Sequence, residues 1–193
     1  VVGSIDEAAA LGANALILGI APLGGNVPEA WWSVIENALA KGMLLVNGLH
    51  DRIRDRYPAS ADLIWDIRVE PEGIGSGKGL ARTLPNRRVL FVGTDMAAGK
   101  MTAGLEVWRA ARLRGIDAAF VATGQIGITV TGAGVPLDAV RIDYASGAIE
   151  REVMRAAESE LILVEGQGSL VHPGSSATLP LMRGSCPTHL VMC

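Results

Sequence analysis

The chain has 193 residues, 49% of them hydrophobic, and a formal net charge of −3. It is long enough for one large or two small α/β domains, and it lacks the basic surplus typical of nucleic-acid binding. No apolar run reaches the roughly 18 to 20 residues that cross a bilayer, so we expect neither nucleic acid nor membrane as a partner. Cys186 and Cys193 are too few for a disulfide framework and lack metal-ligand spacing. We therefore expect a reduced, cytoplasmic protein with no metal site.

The first predicted elements alternate between helix and strand, as in a small Rossmann-like layered domain. Ser4 and Glu7 form a capping-box pattern, in which Glu7 is expected to reach back to the Ser4 N–H. The short apolar run 15–20 predicts a buried parallel strand. Further predicted elements are a helix that carries Trp31, Trp32, Ile35 and Leu39, and strands at 43–46 and 63–67. We predict a Rossmann-like domain over residues 1–68.

Residues 69–87 differ in composition from the segments on either side. The stretch 70–79 is rich in glycine and charge, and Pro85 and Asn86 follow. Its glycine spacing lacks the entering strand and leaving helix that a phosphate loop requires. We therefore interpret 69–87 as an inter-domain linker. The arginines at its end, Arg82, Arg87 and Arg88, are interpreted as a solvated approach to the next strand.

The alternation of strand and helix resumes after the linker. Strands are predicted at 88–92, 118–122 and 161–164, with helices at about 100–114 and 145–158. The chain stops on an apolar strand at 188–193. These elements predict a P-loop NTPase-like α/β domain with a mostly parallel sheet over residues 88–193. The chain begins without Met and stops where α/β proteins often bind ligands, so we expect both domains to be incomplete pieces of a longer protein.

Residues 89–102 place a strand, a glycine-rich turn, a lysine and a helix in the order that phosphate binding requires. Gly93 and Gly99 let the backbone curl so that N–H groups converge, and Lys100 adds a positive charge to the helix N-terminus. The alternative is a simple turn with Lys100 extended into solvent. We predict that a phosphorylated ligand contacts Gly93, Thr94, Asp95, Ala98, Gly99, Lys100, Met101, Thr102, Gln125 and Gln167.

Two features depart from the common phosphate-loop motif. Five residues separate Gly93 from Gly99, where the common motif has four, and this spacing resembles the loop of dethiobiotin synthetase. The residue after Lys100 is Met101 rather than the Ser or Thr that normally holds Mg²⁺. A thioether is a poor ligand for that cation. The hydroxyl of Thr102 is available, but it lies one residue after the usual position. The sequence thus favours phosphate binding over magnesium-dependent nucleotide chemistry.

Glu165 follows the buried strand 161–164 and is itself followed by glycines. In P-loop proteins this position faces the phosphates, so a functional role is favoured over a structural one. Gln167, Ser169 and His172 lie on the same loop, near enough to line the site. His172 precedes Pro173, and the alternative for it is the closing of a turn.

Five segments together resemble the DgcN-type family, which was long catalogued as a domain of unknown function. They are residues 20–25, 46–51, 93–102, 120–127 and 164–173. The resemblance implies a Rossmann-like N-terminal domain, a P-loop C-terminal domain, and D-glutamate N-acetyltransferase activity with acetyl-CoA as donor. Coenzyme A carries a pyrophosphate and a 3′-phosphate, which backbone N–H groups and Lys100 can bind without a metal. Family membership does not fix the amino-acid acceptor.

Acetyl transfer needs a base for the acceptor ammonium, and the candidates are Glu165, His172 and Asp95. Backbone N–H groups of 124–127 or 166–168 are candidates for oxyanion stabilisation. Arg183 either binds an acceptor carboxylate or is merely solvated. Two other functions remain open. One is an ATP- and Mg²⁺-dependent kinase or ligase resembling dethiobiotin synthetase, and the other is a non-enzymatic nucleotide-binding regulatory module.

Two features of the first segment leave alternatives open. His50 and Asp51 follow a predicted strand, where they either contribute to a cleft between the domains or simply form a loop. Trp31 and Trp32 are adjacent on a predicted helix and cannot share one face. We expect one in the core and the other partly exposed. We also expect a homo-oligomer, because symmetric assemblies are common.

Overall fold

The computed structural model describes residues 1–20, 22 and 24–193. Contacts divide the chain into two compact units, Val1–Arg68 and Val69–Cys193. The described strands of both units pair in parallel, which confirms the predicted α/β fold class. Within the described residues, no helix is long and apolar enough to cross a membrane.

The first unit is a small sheet covered by helices. Its elements are α1 (Ile5–Ala10), β1 (Ala15–Leu18), α2 (Trp32–Ala40), β2 (Leu44–Asn47), α3 (Ile53–Arg56) and β3 (Ile64–Asp66). The strand order is β1-β2-β3. Ile35, Leu45 and Ile53 are fully buried and form the centre of its core. Ala21 and Leu23, which belong to the family motif at 20–25, lie outside the described residues.

Two local predictions in this unit need correction. The Glu7 N–H does donate to Ser4 Oγ (3.1 Å), but the Glu7 carboxylate accepts from the Gly3 N–H (2.6 Å) instead of the Ser4 N–H. Trp31 ends a 3-10 turn and Trp32 begins α2. Both tryptophans are half-buried against the core, so the expectation of a partly exposed tryptophan is confirmed, whereas neither tryptophan lies fully in the core.

The second unit is a larger parallel sheet. Its elements are β4 (Arg87–Val92), α4 (Lys100–Leu113), β5 (Ala118–Val121), α5 (Gln125–Thr131), α6 (Ile142–Arg155), β6 (Leu161–Val164), α7 (Thr178–Ser185) and β7 (His189–Met192). The strand order is β5-β6-β4-β7. Because β4 and β6 are parallel neighbours, the loops that follow them start side by side at one edge of the sheet.

Residues 69–87, interpreted from sequence as a linker, pack within the second unit. Glu150 on α6 is 5% exposed, and its carboxylate accepts the N–H groups of Lys78 (2.8 Å) and Leu80 (2.6 Å). Ala81 is fully buried, and Glu70 pairs with Arg141 at 2.6 Å. The segment is therefore an ordered part of this unit, because side chains of the region around α6 satisfy its backbone and its charges.

Candidate functional site

The loop between β4 and α4 has the open, curled geometry that phosphate binding requires. Gly99 precedes α4 with φ of +93°, in the left-handed region that favours glycine. Gly93 is buried, and a Cβ there would lie 2.9 Å from Lys100 Nζ, so a larger residue would displace the lysine. Residues 94–99 are exposed. The loop is therefore neither collapsed nor covered by the rest of the described protein.

Lys100 is turned into this loop, which contradicts the alternative of a lysine extended into solvent. Its side chain is 6% exposed, and Nζ donates to the carbonyl oxygen of Asp95 at 2.9 Å. Within the described part of the chain, no carboxylate forms an ion pair with Nζ. A buried ammonium without a counter-charge is costly, so this arrangement favours the binding of an anion.

Glu165 follows β6 and lies beside the loop. It is 2% exposed, and its Oε2 accepts the N–H groups of Thr123 (2.8 Å) and Gly124 (3.0 Å). Burial raises the pKa of the Glu165 carboxyl, and these two bonds together with one from the Gln167 side chain oppose the rise without cancelling it. The carboxyl has two roles in the structure. It fixes the start of α5 through the N–H groups of Thr123 and Gly124, and it faces a cleft above Lys100.

A cleft of about 510 Å³ lies above Lys100, within the size range of small-molecule sites. Its walls are residues 96–97 and 99–102 of the loop and α4, residues 124–126 at the start of α5, and residues 165–168 after β6. Of the predicted site residues, the cleft brings together Gly99, Lys100, Met101, Thr102, Gln125, Glu165 and Gln167. Gly93, Thr94, Asp95 and Ala98 belong to the same loop but do not line the cleft.

The structure does not bring His172 into the cleft. Its Nδ1 accepts the N–H of Gly174 (3.1 Å), and its own N–H donates to Ser169 Oγ (2.8 Å). The Nδ1 lone pair is thus engaged, and the proton of the neutral ring resides on Nε2. This geometry matches the turn-closing alternative, and it disfavours His172 as a base.

Asp95 is exposed and also lies outside the cleft walls. Its Oδ1 accepts the N–H of Met96 at 2.7 Å, and its carbonyl accepts from Lys100. Asp95 therefore helps to shape the loop. Of the three candidate bases, Glu165 is the one whose side chain lines the cleft.

The residues near Lys100 supply N–H and ammonium donors for a phosphate group. Met101 lines the cleft at the position where a hydroxyl normally holds Mg²⁺. In residues 1–20, 22 and 24–193, no group of three or more His, Cys, Asp or Glu side chains is placed to share a metal ion. Backbone N–H groups and the lysine ammonium are thus the donors that this loop offers to an anion.

Sequence reasoning missed the role of Ser169, which ties the two loops of the site together. Ser169 is 3% exposed, and its Oγ donates to the carbonyl of Thr94 (3.1 Å) while accepting the N–H groups of Val171 and His172. The Leu170 N–H also donates to the Gly93 carbonyl at 2.9 Å. Serine in a glycine-rich loop commonly forms turns through its hydroxyl. The position of Ser169 in such a loop is the sequence feature that could have indicated this role.

His50 and Asp51 hold loops of the first unit together. The His50 ring lies 2.5 Å from Arg68 Nη1, and Asp51 Oδ2 accepts the Val27 N–H at 2.6 Å. Both contacts join loop segments of this unit. They agree with the interpretation that His50 and Asp51 simply form a loop.

Two family models together match nearly the whole chain. A Rossmann-like domain of unknown function, DUF1611_N, matches residues 1–70. A P-loop domain of unknown function, DUF1611_C, matches residues 75–193. These matches confirm the two domain types predicted from the sequence.

Curated relatives and a solved structure are similar over the same range. Proteins named D-glutamate N-acetyltransferase from Pseudoalteromonas sp. and Tritonibacter scottomollicae are 40% and 38% identical, and each alignment covers 98% of this chain and 59% of the relative. The crystal structure of a DUF1611 family protein from Anabaena variabilis has 50% sequence identity and a TM-score of 0.93, over 99% of this chain and 57% of that one. The chain thus spans less than two thirds of the length of these relatives. It belongs to the DUF1611 family, whose members join a Rossmann-like N-terminal domain to a P-loop C-terminal domain.

Proposed function

We propose that this chain is part of an N-acetyltransferase that transfers the acetyl group of acetyl-CoA to D-glutamate or a related amino acid. The observation that carries the proposal is the buried Lys100 ammonium, which has a carbonyl but no described carboxylate as its partner, in an open loop beside the buried Glu165. The name D-glutamate N-acetyltransferase of two relatives supports the reaction class.

Acetyl-CoA fits the donor set of the loop. Its pyrophosphate can be bound by the N–H groups of Asp95 and residues 97–99 and by Lys100, and a fixed set of such donors requires no metal. Met101 at the usual magnesium position is therefore compatible with this donor. The same methionine is less compatible with a nucleoside triphosphate, whose transfer chemistry depends on Mg²⁺.

In the transfer itself, the acceptor amine attacks the thioester carbon, a C–N bond forms, and the C–S bond breaks. The acceptor ammonium first gives up a proton, and the departing thiolate takes one up. Glu165 is the candidate base, since burial raises the pKa of its carboxyl towards the range where a base works well near neutral pH. The N–H of Gly124 donates to Glu165, so the candidate oxyanion donors narrow to 125–127 and 166–168.

The test is thiol release from acetyl-CoA by the full-length protein, with D-glutamate as acceptor. We expect Glu165→Gln to lower kcat by about 10²- to 10⁴-fold, the usual range for loss of general base catalysis, while acetyl-CoA still binds. Lys100→Ala should weaken acetyl-CoA binding. Lys78→Ala, which removes an exposed lysine outside the cleft, is the matched control. Absence of thiol release above background with D-glutamate and related amino acids would refute the proposal.

The loop spacing also favours a second candidate, an ATP- and Mg²⁺-dependent kinase or ligase, for which Thr102 in the cleft wall supplies a hydroxyl. A ligand that binds only the folded state raises the melting temperature. Coenzyme A should therefore stabilise an acetyltransferase, and ATP with Mg²⁺ should stabilise a kinase or ligase. Stabilisation by either ligand without turnover would instead favour a regulatory nucleotide-binding module.

A further inference from the structure

A second cavity of about 350 Å³ adjoins the cleft above Lys100. The two share Met96, Gln167 and Gly168 as wall residues. We propose that this second cavity binds the pantetheine arm of the acetyl donor while the pyrophosphate lies on Lys100. The assignment rests on the proposed function, because it requires coenzyme A as the ligand.

The walls of the second cavity are largely apolar and carry no positive charge. They include Leu137, Val140, Ile142, Ala145, Ala177 and Pro180. The polar part comes from Gln167, from the hydroxyls of Ser175 and Ser176, and from the Asp138 carboxylate, and none of the described wall residues is Lys, Arg or His. The pantetheine arm is uncharged, with amide and hydroxyl groups between methyl and methylene groups, so it matches this surface.

The same walls argue against the amino-acid acceptor as the occupant. Glutamate brings two carboxylates, which need cationic or N–H donors when they leave water. The described walls offer no cation for such a carboxylate. The acceptor carboxylates are therefore expected to bind outside this cavity.

The junction of the two cavities connects the arm to the proposed base. Gln167 lines both cavities and hydrogen-bonds to the Glu165 carboxylate. An arm that crosses this junction passes beside Gln167, which contacts Glu165. The shared wall residues thus join the phosphate site to the uncharged cavity. For Glu165 to act as the base, the arm must fold within this cavity so that its thioester end lies back at the junction.

The experiment compares two ligands that differ only in the arm, coenzyme A and 3′-phospho-ADP, by titration calorimetry on the full-length protein. Ser176→Trp and Ile142→Trp each place a large side chain at an exposed wall position of the second cavity. Each should weaken coenzyme A binding by roughly tenfold or more, which corresponds to about 1.4 kcal/mol, and leave 3′-phospho-ADP binding unchanged. Leu179→Trp, an exposed α7 position outside the walls, should change neither.

The outcomes separate this assignment from the proposed function. Unchanged coenzyme A affinity in both tryptophan variants would overturn the assignment and leave the acetyltransferase proposal intact. Failure of the unmodified protein to bind coenzyme A would overturn both. If the tryptophan variants weaken the binding of coenzyme A and of 3′-phospho-ADP equally, the substitutions act on the phosphate site. That result would also overturn the assignment. In turnover assays, the tryptophan variants should show a higher KM for acetyl-CoA. A higher KM for D-glutamate instead would indicate that the acceptor binds in this cavity and would overturn the assignment.

Discussion

Replacing Gly127 by alanine tests whether the Glu165 carboxylate fixes the start of α5. In an open helix this change would stabilise the protein by up to about 1 kcal/mol, because alanine is the better helix former. At Gly127, however, an added Cβ would lie 2.9 Å from Glu165 Cδ and closer still to Oε2. The added Cβ occupies the place of the carboxylate, so the carboxylate must leave the N–H groups of Thr123 and Gly124.

The expected size follows from those two hydrogen bonds. Each bond to a charged acceptor contributes about 1.5–3 kcal/mol, so their loss costs about 3–6 kcal/mol. Subtracting the helix-propensity gain of up to about 1 kcal/mol leaves a net destabilisation of about 2–6 kcal/mol. Glu165→Ala removes the obstacle, and in that background Gly127→Ala should become neutral or stabilising. The two changes should therefore couple by about 3–6 kcal/mol.

The measurement is urea-induced unfolding of the four proteins of this double-mutant cycle, followed by tryptophan fluorescence. Val130→Ala, an exposed position on the same helix, is the control and should show no coupling to Glu165→Ala. If Gly127→Ala costs the same free energy with and without Glu165, the carboxylate does not hold α5, and the two-role interpretation of Glu165 is refuted.

Three further predictions concern charge and metal binding. Burial raises the pKa of Glu165 above its ordinary value of 4.5, so the folded protein keeps this proton to higher pH than the unfolded chain. Its contribution to the free energy of unfolding therefore falls as pH rises from 4.5 through the folded-state pKa, and Glu165→Gln should flatten that part of a melting-temperature profile. Arg88→Met should cost at least about 3 kcal/mol in urea unfolding, because a 4%-exposed guanidinium bonded to several backbone carbonyls is lost; exposed Arg87→Met should cost little. Met101→Thr should leave coenzyme A affinity unchanged and make ATP binding depend more strongly on Mg²⁺, as calorimetry with and without the cation would show.

Elements with strong local signals were predictable from the sequence. The strand β6 (Leu161–Val164) has the predicted bounds, because four apolar residues in a row are typical of a strand buried on both faces. The start of α4 at Lys100 was also predicted, because a glycine-rich turn followed by a lysine leads into a helix in phosphate-binding loops. At the site, these two elements alone place Lys100 and Glu165 at the same edge of the sheet.

Elements whose stability comes from distant residues were not predictable in this way. The helix α5 (Gln125–Thr131) is rich in β-branched residues, which are poor helix formers, and the loop that leads into it is fixed by Glu165. The helix α7 contains Pro180, which is tolerated there because the N–H groups of a first helical turn have no intrahelical acceptor. Arg88 was interpreted as solvated, yet it is buried, because it contacts carbonyls of two segments that are distant in the sequence, Leu84 before the strand and Ser185 and Cys186 at the end of α7.

Lys100 and Glu165 line one cleft with opposite formal charges, yet they do not form an ion pair within the described residues. Each is instead bound to neutral groups, Lys100 to a carbonyl and Glu165 to backbone N–H groups and an amide. A direct pair would neutralise both groups and lower the pKa of the carboxyl. Their separation leaves the ammonium able to bind an anion and keeps the carboxyl's proton affinity high. The proposed acetyl transfer uses both properties, phosphate binding by the ammonium and proton acceptance by the carboxylate.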